Sequence, residues 1–408
     1  MAKRIRRLSD LDRGLLVLGF LAIIACTADT LPQPVAFDQA LLPDITMLAA
    51  LLGFSWVLMQ QRFPSHLLAI LIGFLAVGLL YFISFLVSPN LIGIRNILGI
   101  VVSAVVFFFF ERMGRTSAAT KYGIAILVVS AFICVALGSL QKNTLSATAS
   151  YMVMTAGILA LRLYRSPLVV VSVIFPIVIL IAVIMDHRTM IAMGFAGWAT
   201  FVMLYFFPWG INRKAIILLA AGGIFLFFVL NIGMFGLNIR DYNALVIEYT
   251  GRNALSGRQL VWPALVKAVT STDWGLWFGL GAGQTFSGLY ESRLSAHNYY
   301  LQTFMQVGLI GVFTVVYLLY ALWRATGRAN RKEPLRHYMT AYLAIVIVHS
   351  ATTVFLMQVN LTIAINAWAG LGIGLGMLAR SAGPAPAGRR SHNQPRQRAV
   401  RPAQRALG

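Results

Sequence analysis

Acidic side chains are the scarcest component of this chain: 12 Asp and Glu stand against 33 Lys and Arg in 408 residues. Charged residues of both signs reach 11%, less than half of the quarter or so typical of a soluble domain. Such a chain cannot cover an ordinary water-facing globule. Cysteine is almost missing. Cys26 and Cys134 fall in separate apolar runs, so no disulfide framework holds the fold. Ile23 to Cys26 has the outline of a lipoprotein cleavage box, but the apolar run around it reaches full span length. Cys26 therefore reads as an ordinary residue of a retained first span, with no signal peptide removed. Also lacking is a G-x-x-x-x-G-K-[ST] phosphate loop, which excludes P-loop chemistry. The outer segments identified below carry no D-x-D pair to hold a metal-bound nucleotide sugar.

What the chain has instead is apolar length. Hydrophobic residues make up 59% and the mean hydropathy is +0.79. Runs of about 20 apolar residues suffice to cross roughly 30 Å of hydrocarbon. Twelve are expected, at 14–31, 41–59, 66–87, 91–110, 121–140, 146–161, 167–185, 189–207, 215–235, 301–323, 338–357 and 361–379. The sixth is the shortest and opens with Ser, Thr and Ala. Short cytoplasmic loops retain Lys and Arg. With the N-terminus inside and sides alternating, 25 of the 33 basic residues fall inside. That parity predicts both termini in the cytoplasm of a bacterial inner membrane, with 236–300 as one large periplasmic loop. The expected fold class is an all-α polytopic membrane protein: nine spans in 1–235, the loop with short helices in 236–300, and three spans in 301–379.

The stretch 380–408 is rich in Pro and Arg and lacks an apolar period, so it reads as a disordered basic tail. Anionic lipid of the inner leaflet is its expected partner. The basic residues are dispersed over seven segments, so the net charge of +21 is a topology signal and no nucleic-acid partner is expected.

Small residues at four-residue spacing, Gly370 with Gly374 and Gly372 with Gly376, predict close helix packing in the last span. Ionisable residues within or beside apolar runs are costly and point to polar surroundings. Arg95, followed by Asn96, lies a turn inside the outer end of the fourth span. Asp186, His187 and Arg188 form an outer turn, Asp29, Asp38 and Asp44 mark the first outer loop, and His349 is expected mid-way along the eleventh span.

The segment 256–311 alone combines polar chemistry with aromatic structure over a long stretch. Ser256 and Gln259 fit a capping box, and Leu260, Val261, Ala264, Leu265, Ala268 and Val269 follow at helical spacing. Pro263 is expected to bend that helix. Arg258 in its first turn opposes the helix dipole, which makes sense if an anion, naturally a phosphate, binds at the exposed N–H groups. Trp274, Trp277 and Phe278 suit a membrane-interface belt, and Gly279, Gly281 and Gly283 permit a tight turn. Ser295 can cap a helix from Ala296 to Trp323, about 42 Å long against a core of about 30 Å. Its first turns, with His297, must then stand at headgroup depth. Asn298, Gln302 and Gln306 make one polar stripe down it, expected to face the bundle or a cavity.

SGRQLVWPALVKAV, the GLGAG turn and AHNYYLQTFMQVGLIG together resemble the outer-loop signature of the bacterial O-antigen ligase and O-antigen polymerase superfamily. DHRTMIAMGFAGW at 186–198 resembles the family's outer Arg, with Asp-His-Arg where a Ser-Arg pair is usual. The resemblance implies a metal- and cofactor-independent glycosyltransferase. Its donor would be a glycan on undecaprenyl diphosphate, and its acceptor a hydroxyl of lipid A core or of a growing glycan. His297 resembles the essential histidine, and Arg258 and Arg188 the arginines that hold the diphosphate; Arg95 lies level with them. Asn298, Gln302 and Ser256 would support the site. Ligase and polymerase differ in acceptor, which no residue decides. A base among Asp29, Asp38 and Asp44 is a second chemistry, and a polysaccharide or lipid transporter, with repeated halves and broken helices, is a second class.

Overall fold

A chain this apolar can satisfy its backbone within hydrocarbon only by closing hydrogen bonds inside helices or a closed barrel, and its segments take the helical solution. A computed structural model of the chain describes residues 8–30, 67–137, 142–208, 213–232, 258–286, 297–357 and 361–381, with positions 244, 248 and 289. The helices are α1 (Asp10–Thr30), α2 (Leu68–Val87), α3 (Leu91–Thr116), α4 (Lys121–Leu137), α5 (Lys142–Leu163), α6 (Pro167–Ile184), α7 (Arg188–Phe206), α8 (Arg213–Ile232), α9 (Arg258–Val269), α10 (Asp273–Phe278), α11 (Tyr299–Thr326), α12 (Pro334–Ser350) and α13 (Leu361–Ser381). No strand occurs among the described residues. Seven of these helices are long and apolar enough to cross a membrane. The expected span at 41–59, the aspartates Asp38 and Asp44, Ser256 and the tail beyond Ser381 lie outside the described residues, as do the side chains of Asp29 and Arg258.

Two helices are enclosed by the rest. Every residue from Leu145 to Ala160 of α5 and from Ile363 to Leu378 of α13 is buried. This explains the polar opening of the sixth run: Ser146, Thr148, Ser150 and Thr155 of α5 face other helices and not lipid. The glycines of α13 serve two neighbours. A Cβ at Gly372 or Gly376 would strike the Phe107 or Glu111 carbonyl of α3, whereas one at Gly370 or Gly374 would strike Tyr342 or Met339 of α12. Backbones can approach this closely only without side chains between them. Trp368 of α13 packs on Phe74 with ring centroids 4.8 Å apart and donates to the Leu356 carbonyl at 2.6 Å.

Charged groups gather at one end of the bundle. Asp12 accepts from Ser9 Oγ at 2.7 Å and Thr120 Oγ1 at 2.5 Å, Glu111 pairs with Arg115 at 2.5 Å, and Arg162 pairs with Glu333 at 3.1 Å. Asp10 and Asp12 do form a D-x-D triplet. Here Asp12 is spent on joining the starts of α1 and α4, and Asp10 lies 3.6 Å from Arg13.

Two expectations about helix limits are corrected. His349 is the penultimate residue of α12, because the Thr352 hydroxyl and the amides of Thr352 and Thr353 take up its carbonyl. Residues 351–357 continue as non-helical chain, buried except at the half-buried Thr352 and Thr353. And α11 starts at Tyr299, not Ala296, and breaks at Val307 (φ −134°, ψ 16°) and Gly308 (φ 67°, ψ −165°).

Candidate functional site

The break in α11 is filled by the glycine turn. After α10, whose Asp273 start is capped by Thr272 Oγ1, the chain crosses α11 at the interrupted ladder. Leu280 N–H donates to the Met305 carbonyl at 2.7 Å and Gly281 N–H to the Gln306 carbonyl at 3.3 Å. Only glycine fits on either side of the crossing. Gly279 (φ 78°) would place a Cβ 2.5 Å from Gln306 C, and Gly308 (φ 67°) would place one into the Trp277 carbonyl. Non-helical backbone at this depth needs protein partners in place of water.

The polar stripe predicted on α11 supplies those partners. Gln302 Nε2 and Gln306 Nε2 both donate to the Gln284 carbonyl, at 3.0 and 2.9 Å. Gln306 Oε1 accepts from Tyr81 OH at 3.0 Å, and its carbonyl accepts from Ser84 Oγ at 3.0 Å. Asn96 Nδ2 of α3 donates to the Ala282 carbonyl at 2.8 Å, which sets half-buried Arg95 beside the turn. The stripe thus faces the bundle, as expected, and braces a loop there. On its other side the loop helix α9 docks: Val261, Trp262, Leu265 and Val269 pack with Phe286, Leu301, Phe304 and Met305. Pro263 lies within α9, and Trp274, Trp277 and Phe278 are exposed.

Immediately before α11 stands His297, exposed, at φ +45°. A left-handed backbone costs a non-glycine residue roughly 1 kcal/mol or more. Buried Asn298 enforces it: its Oδ1 caps Leu301 N–H at 3.0 Å, and its carbonyl accepts from Gln302 N–H at 2.9 Å. Asn298 is therefore the N-cap, a role the sequence assigned to Ser295.

Arg188 is reached through α12. Tyr300 OH donates to the Ile347 carbonyl at 3.0 Å, tying the head of α11 to the last turn of α12. There His349 faces His187, ring centroids 6.0 Å apart, and the next residue is Arg188, exposed at the start of α7. The turn before it is a Schellman motif. His187 N–H donates to the Ala182 carbonyl at 2.7 Å and Asp186 N–H to the Val183 carbonyl at 3.1 Å, with Asp186 at φ 52°. So His297, Asn298, Gln302 and Arg95 share one end of the bundle with Arg188. Arg258 begins α9, which rests on the same half of α11.

The imidazole pair itself went unread. His349 is fully buried, accepts or donates through Nδ1 to Tyr151 OH at 3.1 Å, and stacks obliquely on Phe355 at 4.6 Å. His187 Nδ1 and His349 Nε2 are buried without a hydrogen-bond partner. Burial pushes the His187 imidazole down to about 4, so it is neutral near pH 7. The signal for this pairing was the polar run Ser350, Thr352, Thr353, which marks a helix end level with the 186–188 turn.

Among the described residues no group of three His, Cys, Asp or Glu side chains is arranged to hold a metal ion. The arrangement offers a solvent-facing imidazole on a rigid helix head, with guanidinium groups at the same end. That suits proton transfer beside an anion. No protein-family model matches this chain, and no curated protein matches it.

Proposed function

We propose that the protein is a glycosyltransferase of the O-antigen ligase kind. It would move a glycan from undecaprenyl diphosphate to a hydroxyl of lipid A core at the periplasmic face of the inner membrane. The observation that carries this reading is His297: an exposed imidazole held in a costly backbone conformation by a buried cap, where backbone strain marks functional sites. His297 takes the proton of the acceptor hydroxyl as its oxygen bonds the anomeric carbon, since imidazole titrates near neutrality. The anomeric C–O bond breaks, and its electron pair leaves with the lipid diphosphate. Arg258, Arg188 and Arg95 stabilise the charge that develops there, so no metal or cofactor takes part. The helix head of α11 sits at headgroup depth in this reading, within a twelve-span topology that puts both termini in the cytoplasm and 236–300 outside.

Polymerisation of lipid-linked repeat units is the same chemistry with a different acceptor. The broken α11 is the one feature a transporter would share, but its freed carbonyls are closed by the glycine turn and its polar groups serve one end. The test is transfer by purified protein in detergent with EDTA, offering lipid A core and a second donor copy as separate acceptors. Glycan on lipid A core, lost in His297→Ala and Arg258→Ala, supports the ligase; longer carrier-linked chains mean a polymerase. Full activity in His297→Ala contradicts the mechanism.

A further inference from the structure

At the opposite end of the bundle two guanidinium groups, Arg213 and Arg336, have no carboxylate partner among the described residues. Arg213, at the start of α8, is half-buried and spends its guanidinium on neutral groups. Nε donates to Thr340 Oγ1 at 2.9 Å, and one terminal nitrogen donates to the Trp323 carbonyl at 3.2 Å and to Thr326 Oγ1. Its plane lies over the Trp323 ring at 5.7 Å. Arg336, in the first turn of α12, is joined to Arg213 through Thr340, whose Oγ1 accepts from Arg213 Nε and donates to the Arg336 carbonyl at 2.9 Å, and the two guanidinium groups act on each other as like charges. Between them His337 is 4% exposed. Arg336 Nε and His337 Nδ1 are both buried without a hydrogen-bond partner, while the His337 ring is also held by a backbone hydrogen bond at Arg331.

The described acids at this end are committed elsewhere. Asp10 lies by Arg13, Asp12 holds Ser9 and Thr120, Glu111 holds Arg115, and Glu333 holds Arg162. Cations packed together without a counter-charge repel one another, and a buried donor left unpaired costs about 1–3 kcal/mol. One oxyanion removes both penalties. A guanidinium fork matches the oxygens of a phosphate, and a membrane presents phosphates at the depth of its helix ends.

We infer that Arg213, Arg336 and His337, where α8, α11 and α12 meet, form a binding site for a phosphate oxyanion, supplied by the headgroup of an anionic phospholipid. The inference is independent of the glycosyltransferase reading, because it uses none of the residues around His297. The aliphatic tails of such a lipid would lie along the exposed apolar side of α8, where Leu218, Leu219 and Phe225 face outward.

The experiment is native mass spectrometry and thermal unfolding of the full-length protein in a neutral detergent, with phosphatidylglycerol, phosphatidylcholine or inorganic phosphate added. Phosphatidylglycerol is expected to be retained and to raise Tm by about 3 °C or more, phosphatidylcholine to do neither. Arg336→Gln should weaken phosphatidylglycerol retention about tenfold. Arg213→Gln removes bonds that join three helices and so perturbs folding together with binding; the peripheral Arg336→Gln and a charge-keeping Arg336→Lys, which should retain most of the binding, therefore decide the matter. An equal rise with inorganic phosphate alone supports the oxyanion site and assigns it to a soluble ligand. Equal response to both phospholipids, or the same response in wild type and Arg336→Gln, overturns it.

Discussion

The two ends of this bundle handle polar groups in opposite ways. At the Glu333 end, backbone geometry is regular and carboxylates find cations: Glu111 with Arg115, Arg162 with Glu333. At the His297 end, helix α11 is interrupted, and both non-glycine residues with positive φ among those described, Asp186 and His297, are found there. Two of the three buried imidazole nitrogens without a partner, on His187 and His349, lie there too; the third, on His337, lies at the Glu333 end. Ion pairs and closed helices stabilise; strained backbone and an interrupted helix cost. A chain keeps the second kind of arrangement where position matters more than stability, which is the physical ground for the proposal that puts the chemistry at the His297 end.

The comparison breaks most sharply at the glycine crossing. Gly308→Ala combines a positive φ with a Cβ driven into the Trp277 carbonyl, so it should cost about 3 kcal/mol or more and register as a large drop in Tm. Tolerance of this change would mean that the crossing is loose and that His297 is not held. A somewhat smaller effect concerns His187. Its folded value of about 4 lies below the ordinary 6.5, so the unfolded chain binds the extra proton between those limits. Stability attached to the neutral imidazole is complete above pH 6.5 and is lost as pH falls towards 4, by about 3 kcal/mol at most. In thermal unfolding across that window, His187→Gln should flatten the slope; an unchanged slope would place the titration elsewhere. Gln306→Ala removes the bond from Tyr81 OH and one of the two bonds to the Gln284 carbonyl and should cost about 1–3 kcal/mol. At the other end, Glu333→Gln removes a pair about a quarter exposed on each side and should cost under about 1 kcal/mol. A larger loss there than at Gln306 would invert the contrast between the ends.

How much of this was legible depended on whether a signal was local. Hydrophobic length located the helices, and four-residue glycine spacing located the close packing of α13, because both are properties of one segment. Asn298, Gln302 and Gln306 could be read as one face for the same reason. The partner of that face could not: Gln284 lies 18 residues before Gln302 and Tyr81 lies 225 before Gln306, separations that periodicity does not encode. The break at Gly308 was hidden because VGLIGV is as apolar as a continuous helix, and only the glycine turn crossing it makes the interruption affordable. His349 looked like a mid-span residue because VHSATTVF retains span-like hydropathy although its hydroxyls end the helix. Its pairing with His187 required knowing that α12 stops level with the turn between α6 and α7.

The central claim, that His297 is strained for the sake of chemistry, is tested by one variant measured twice. Glycine accepts φ +45° without a Cβ penalty, so His297→Gly should keep Tm or raise it, by up to about 1 kcal/mol of stability, while transfer of glycan from undecaprenyl diphosphate falls by about 10²- to 10⁴-fold. Retained transfer, or a marked loss of stability with the histidine gone, would show that His297 holds the helix head and does no chemistry there.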